Sequence, residues 1–199
     1  MGLTPSRIKA NHHAVQFYGN EQSLFNTVAG FLSEGLIAGQ PAIIIATEPH
    51  RLAIVEHLAS RLIDVEQAQR TGNLVVLDAE ESLATFMVGD APDRSSFESH
   101  VGGVIERLLA GRTETVIRAY GEMVDVLWKE GRSEAAIRLE VLWNSLAIKH
   151  GFALLCGYSI GNFYKQTEQF RAVCDQHTHV IEPEPNVVPF ESKFPARSA

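Results

Sequence analysis

Gly157-Tyr158-Ser159-Ile160-Gly161 fits the pattern G-x-S-x-G, at the end of an apolar strand-like run and ahead of a helix-like one. A hydrolase nucleophile elbow needs that context, because a sharp strand-to-helix turn lifts the serine hydroxyl clear of the sheet. Asp175 with His177 or His179 would complete the order Ser, Asp, His. In such enzymes further strands carry the acid and the histidine to the nucleophile. Here both fall on or just past the very next helix, and the sequence has no His-Gly-Gly oxyanion loop. Hydrolysis through Ser159 is therefore not expected.

Two charges stand in apolar surroundings. Arg118 interrupts the run Ile117-Arg118-Ala119, and Glu140 sits in a helical stretch with Ala136, Ile137, Leu139, Val141, Leu142, Trp143 and Leu146. An unpaired buried charge is very costly. The two are expected either to bridge to each other, fixing this helix on the sheet, or to face a ligand. Asn144, four residues on, shares the face of Glu140, with Trp143 beside it.

Metal-ligand residue types occur at His12-His13 and at Cys174, His177 and His179, but no H-E-x-x-H or C-x-x-C spacing is present. Neighbours on a strand point to opposite faces, so His12 and His13 do not readily ligate together. These read as core or turn histidines, and neither a metal nor a cofactor is expected. No Walker A sequence exists either. The first strand-to-helix turn, Tyr18-Gly19-Asn20-Glu21-Gln22-Ser23, lacks the glycines and the lysine of a phosphate loop, and Glu21 would repel phosphate.

The elements that must position these residues alternate between two periods. Short apolar runs read as strands at His13–Phe17, Ala42–Thr47, Asn73–Asp78, Glu114–Ala119 and Phe152–Gly157, with a sixth near Thr178–Ile181. Continuous β-branched runs such as Ala42–Thr47 mark strands buried on both faces of a parallel sheet. Helical periodicity covers Glu21–Ala38, where Leu24, Val28, Phe31, Leu32 and Leu36 share a face, then Glu48–Leu62, Ser96–Ala110, Glu122–Glu130, Ser133–His150 and Tyr164–Gln176. The alternation predicts an α/β fold with three α/β/α layers and a mainly parallel central sheet. Residues 12–182 would form the domain, 1–11 an N-terminal extension and the Pro-rich 183–199 a mobile tail.

Composition narrows the class. Of 199 residues, 45% are hydrophobic and 21% charged, as in a soluble globular chain, and the two cysteines cannot form a disulfide framework. A net charge of -7 argues against a nucleic-acid surface. The apolar runs are too short to span a bilayer, and the N-terminus has no signal-peptide h-region, so a cytoplasmic protein is expected.

In an open α/β sheet, ligands bind outside the carboxyl ends of the strands. Those ends carry Tyr18, then Thr47, Glu48, His50 and Arg51, then Asp78, then Tyr120 and Glu122, then Tyr158 and Ser159.

Several blocks together resemble the MEDS domain, the methanogen/methylotroph DcmR-type sensory domain. They are His13-Ala14-Val15-Gln16-Phe17-Tyr18, Phe31-Leu32-Ser33-Glu34-Gly35-Leu36 with Gly39, Ile45-Ala46-Thr47 with His50-Arg51, and Arg118-Ala119-Tyr120-Gly121-Glu122-Met123 with Leu127-Trp128. Arg138-Leu139-Glu140, Leu142-Trp143-Asn144, Leu155-Cys156-Gly157-Tyr158, His177 and Val180 complete the match. The resemblance implies a sensory module on a RecA/KaiC-like fold with a degenerate P-loop. Glu48 would then fall where KaiC places a catalytic carboxylate, and Arg118 where such ATPases carry a Mg²⁺-binding Asp. A cation there would remove Mg²⁺ binding.

The resulting expectation is a non-enzymatic prokaryotic signal-transduction protein, of the kind found in two-component systems. It would bind a small organic ligand through Tyr18, Glu48, His50, Arg51, Arg118, Tyr120, Glu122, Glu140, Trp143 and Tyr158. It would signal through a partner in trans, such as a histidine kinase or a transcription regulator, or through a homodimer. Two other readings compete. One is a ligand-free docking module on a vestigial ATPase surface. The other is a residual nucleotide-binding or hydrolytic enzyme using Glu48, Glu122 or Ser159.

Overall fold

The computed structural model describes residues 12–181, Glu114 excepted. The expected N-terminal extension and Pro-rich tail lie outside the described residues. Six parallel strands form the central sheet: β1 (His13–Tyr18), β2 (Ala42–Ala46), β3 (Leu74–Asp78), β6 (Arg118–Gly121), β7 (Ala153–Ser159) and β8 (His179–Ile181). Their order is β3-β2-β6-β7-β1-β8. All of β2 is buried, as its unbroken Ala-Ile-Ile-Ile-Ala run requires of a strand with helices on both sides.

The pleat sorts side chains between two layers. Val15, Phe17, Ile43, Ile45, Ala119, Leu154, Cys156 and Tyr158 join one core. It is covered by α4 (Ala79–Phe86), α6 (Gly103–Leu109), α7 (Met123–Lys129) and α8 (Ser133–His150). Ala14, Tyr18, Ala42, Ile44, Ala46, Tyr120 and Leu155 join the other, under α1 (Glu21–Ile37), α2 (Glu48–Ser60) and α3 (Val65–Arg70). The α/β/α layering expected from the alternation is therefore present.

Local chemistry sets the helix ends. Asn20 Oδ1 accepts from the N–H of Gln22 at the start of α1, and Asp78 Oδ1 accepts from Glu80 and Glu81 at the start of α4. Gly151, in the left-handed region at φ 67°, ends α8.

Several elements differ from the sequence expectation. The helix beginning at Glu48 stops at Ser60, and α3 follows behind an Asp64 cap. The helix α4 and a small antiparallel pair, β4 (Met87–Val88) with β5 (Ala91–Pro92), were not anticipated. The helix expected from Ser96 starts as α5 (Arg94–Phe97), continues as a π-helical turn over Glu98–Gly102 and ends as α6. The strand expected over Glu114–Ala119 runs instead over Arg118–Gly121, because Arg118 is the residue that registers with Ala42 at the start of β2. The last helix is shorter: a 3₁₀ turn, Ile160–Phe163, precedes α9 (Thr167–Cys174), with Lys165 at φ 59° breaking the run. Among the described residues no helix is long and apolar enough to cross a membrane.

Candidate functional site

The carboxyl ends of β2 and β6 meet around Glu122, the residue just after β6 and only 2% exposed. One carboxylate oxygen accepts from the backbone N–H of Thr47 at 2.6 Å and from its hydroxyl at 2.7 Å. The other pairs with His50 Nδ1 at 2.6 Å and accepts from the Tyr120 hydroxyl at 3.0 Å. Thr47 is the N-cap of α2 and makes no side-chain cap bond of its own, since its hydroxyl is turned to Glu122. The carboxylate therefore lies at the start of α2, where the helix dipole favours negative charge.

Burial opposes the charge on Glu122, but the His50 hydrogen bond and attraction, with the two Thr47 bonds, outweigh it and hold the carboxyl below its ordinary range. The same Glu122 bond outweighs burial at His50 and raises the imidazole above its ordinary value, helped by Glu21. His50 Nε2 lies 3.6 Å from Glu21 Oε1, a carboxylate that is 68% exposed. His50 is thus the link between the buried knot and the surface.

A second buried carboxylate, Asp125, sits in the first turn of α7. It accepts from the Tyr18 hydroxyl, the Ser159 backbone N–H and the Asn162 side-chain amide, and pairs with Lys129. It joins β1 to β7 as Glu122 joins β2 to β6. Burial first, then Asp125 and Glu122, push the Tyr18 hydroxyl far up, so it stays a donor. The sequence reading missed Asp125. Its acidic type inside an otherwise apolar helix, Met123–Trp128, is the signal that could have found it.

The other predicted site residues divide. Arg51 pairs with Asp78 across the ends of β2 and β3 at 2.7 Å. Glu48 is exposed in the first turn of α2, beside the knot. Tyr18, His50, Arg51, Tyr120, Glu122 and Glu48 therefore share the predicted edge.

Arg118 does not. It starts β6, at the opposite end of the strand. Its guanidinium donates to the Phe31 carbonyl and Glu34, and to Gln40, while its stem crosses α1 at Gly35. A Cβ at Gly35 would stand 2.7 Å from Arg118 Cδ. The expected bridge to Glu140 is thus replaced by one to Glu34, because the two residues lie on opposite faces of the sheet. Arg118 thus stands at the amino end of β6. The residue at the carboxyl end of β6 is Glu122, a carboxylate engaged by internal donors.

Glu140, Trp143 and Tyr158 belong to the other core. Trp143 packs edge-on against Phe97 and Phe152 and is 1% exposed. Glu140, fully buried on α8, accepts from the Tyr158 hydroxyl at 2.9 Å. Three further groups surround it: His13 Nε2 at 3.4 Å, His177 Nε2 at 3.5 Å and Cys156 Sγ at 3.6 Å. Burial would raise Glu140, but His177, His13 and Tyr158 outweigh it and hold the carboxyl down. Burial pushes the Cys156 thiol well up, and Glu140 adds to the effect.

His13 and His177 are therefore more than the separate core or turn histidines expected. His12, just before β1, lies against His179 with ring centroids 4.2 Å apart and the planes tilted by 40°. The Ser159 triad is not assembled: His177 turns to Val173 and Glu140, and His179 lies against His12 and Thr178.

Buried carboxylates thus tie the strand ends of a parallel sheet in a three-layer α/β domain. The family is more specific. The model of the MEDS family, the methanogen/methylotroph DcmR sensory domain, matches residues 12–178, and this chain belongs to that family. It is thus a sensory domain by family. No curated protein sequence matches the chain. Its fold is similar to a solved structure described as a structural study of PH0250 from Pyrococcus horikoshii OT3, with a TM-score of 0.48 and 6% identity. That match covers 88% of this chain and 83% of the other.

Proposed function

We propose that this chain is a non-enzymatic sensor that binds a small organic molecule at the carboxyl edge of the sheet and relays the bound state to a signalling partner. The observation that carries the reading is the position of His50. Its Nδ1 is held by the buried Glu122, its Nε2 faces the exposed Glu21, and its ring lies against Phe25 and Tyr18 at 5.1 and 6.3 Å. Aromatic rings with polar tips suit a small molecule having an apolar body and one hydrogen-bonding group.

A ligand that takes the place of Glu21 on Nε2 changes the pull of His50 on Glu122. Glu122 in turn holds the start of α2, the end of β6 and the start of α7 together. Those elements are the relay, and the partner is a histidine kinase or a transcription regulator acting in trans. A ligand can shift such an element only by binding its two states unequally.

One observation favours the docking-module reading: the acceptors of Glu122 and Asp125 are already engaged by internal donors. Amide chemical-shift mapping of the whole chain against a library of small alcohols, amines and carboxylic acids separates the two. The sensor reading expects a compound that shifts amides around Glu21, His50 and Glu122, with the shifts abolished in His50→Ala. Compounds that bind only elsewhere, or none that bind while a kinase or regulator still docks, overturn it in favour of docking.

A further inference from the structure

Four strong metal-ligand atoms meet under α8, on the face of the sheet opposite His50. They are His13 Nε2 from β1, Cys156 Sγ from β7, a Glu140 oxygen from α8 and His177 Nε2 from the loop after α9, all within 4.8 Å of one another. The four side chains are essentially without solvent contact.

The hydrogen count at this cluster does not close while both imidazoles are neutral. Asn144 donates its amide to the Gln176 carbonyl, which turns its oxygen to His13 Nδ1 at 2.9 Å. That ring nitrogen therefore carries the proton. His177 Nδ1 lies 2.7 Å from the Val173 carbonyl and carries its proton for the same reason. In neutral rings both Nε2 atoms are then left as lone pairs aimed at the centre. The Tyr158 hydroxyl supplies one Glu140 oxygen. The other oxygen and both Nε2 atoms remain, with the single S–H of Cys156 to share among them. His177 Nε2 is left buried without a hydrogen-bond partner. Such a buried orphan costs about 1–3 kcal/mol, so a native one needs an explanation.

From this geometry we infer that His13, Cys156, Glu140 and His177 form a tetrahedral site for a divalent transition metal of the zinc class. Ligand bonds of about 2.0–2.3 Å around such an ion give tetrahedron edges of about 3.3–3.7 Å. Three contacts around Glu140 Oε2 match: 3.3 Å for His13 to Cys156, 3.4 Å for His13 to Oε2 and 3.6 Å for Cys156 to Oε2, while His177 Nε2 lies 3.5 Å from Oε1 and within 4.8 Å of the other ligand atoms. On binding, the metal–sulfur bond forms as the thiol proton leaves to solvent, and the other three donors bind without losing a proton. One thiolate, one carboxylate and two neutral imidazoles then balance the two positive charges in a site sealed from water.

Asn144, the Val173 carbonyl and the Tyr158 hydroxyl already orient three of the four ligands from outside, as metal sites require. With all four positions filled by protein, the site is structural rather than catalytic. It would staple the α9–β8 segment to the core. The inference does not depend on the ligand edge proposed above.

Cobalt(II) titration of the untagged, metal-stripped full chain tests it, with visible and near-ultraviolet absorption as the readout. One equivalent is expected to bind, with tetrahedral d–d bands and a thiolate-to-cobalt charge-transfer band, and zinc(II) is expected to displace it. Cys156→Ser should lose the charge-transfer band. His177→Ala should weaken binding at least tenfold, and His12→Ala with His179→Ala should leave it unchanged. A folded wild-type chain that gives no tetrahedral spectrum overturns the inference. So does a spectrum that survives in Cys156→Ser and His177→Ala but disappears in the His12 and His179 variants. Because the wild-type spectrum is decisive alone, a variant that fails to fold does not leave the question open.

Discussion

Glu122 and Glu140 are both buried carboxylates, each with a tyrosine hydroxyl on one oxygen and histidine nearby, and they lie on opposite faces of the same sheet. Around Glu122 every neighbour has a hydrogen to give: a backbone amide, two hydroxyls and an imidazole, all within 3.0 Å. Around Glu140 the histidines have their protons committed to Asn144 and Val173, and the contacts to Glu140 lengthen to 3.4 and 3.5 Å. The first cluster is closed by hydrogen bonds and touches the surface through His50. The second is sealed and rich in lone pairs. Residue type does not separate the two. The second partner of each histidine does, because it decides which ring nitrogen keeps its proton.

The largest expected effect comes from removing the sealed carboxylate. Glu140→Ala should destabilise the fold by about 3–5 kcal/mol in urea unfolding, as loss of one partner from a buried charge cluster does. Glu122→Gln keeps the shape but gives up the charge and one acceptor, and should cost about 1–3 kcal/mol by the same measurement. A reversed order would break the comparison.

Gly157→Ala reaches the Glu122 knot from β7. A Cβ there would stand 2.8 Å from the Tyr120 hydroxyl oxygen and 3.2 Å from Leu24 Cδ1, forcing the tyrosine off Glu122. The expected loss is about 1–3 kcal/mol, the usual range for overpacking. An unchanged melting midpoint would show that the knot yields freely.

Histidine titration followed by NMR sharpens the picture. His50 should titrate above 6.5, and in Glu122→Gln it should fall back. A raised imidazole contributes stability in full below 6.5 and loses it as the pH climbs through the folded value. A lowered carboxyl contributes in full above 4.5 and loses it as the pH drops through the folded value. The Glu122–His50 pair is therefore strongest between 4.5 and 6.5. A His50 value at or below 6.5 would remove the proposed link from His50 to Glu122. The smallest effect belongs to Lys129→Ala. Its ammonium is half exposed although its partner Asp125 is buried, and the change should cost no more than about 1 kcal/mol.

Much of the frame was legible from the residues. Ala42–Ala46 could only be a strand buried on both faces, and Ser133–His150 is a helix at the bounds its periodicity predicts. Tyr18, His50, Tyr120 and Glu122 were placed at one edge by their positions at strand carboxyl ends alone. Short elements were harder. Val65–Arg70 and Ala79–Phe86 are each under three turns, too brief for a helical period to stand out from noise.

The sequence by itself determined the alternation of strands and helices, the family to which the chain belongs and the edge where strand ends gather. Those follow from local periodicity and from motifs contiguous in the chain. Only the tertiary structure decided pairing. Arg118 met Glu34 and not Glu140, because the pleat turns Arg118 to the α1 face of the sheet while Glu140 lies on α8 on the other face. His13, Glu140, Cys156 and His177 came together across as many as 164 positions of sequence, from His13 to His177. No local spacing encodes that meeting. It arises because parallel strands joined by crossovers bring distant segments side by side, and the pleat then turns alternate residues to a common face.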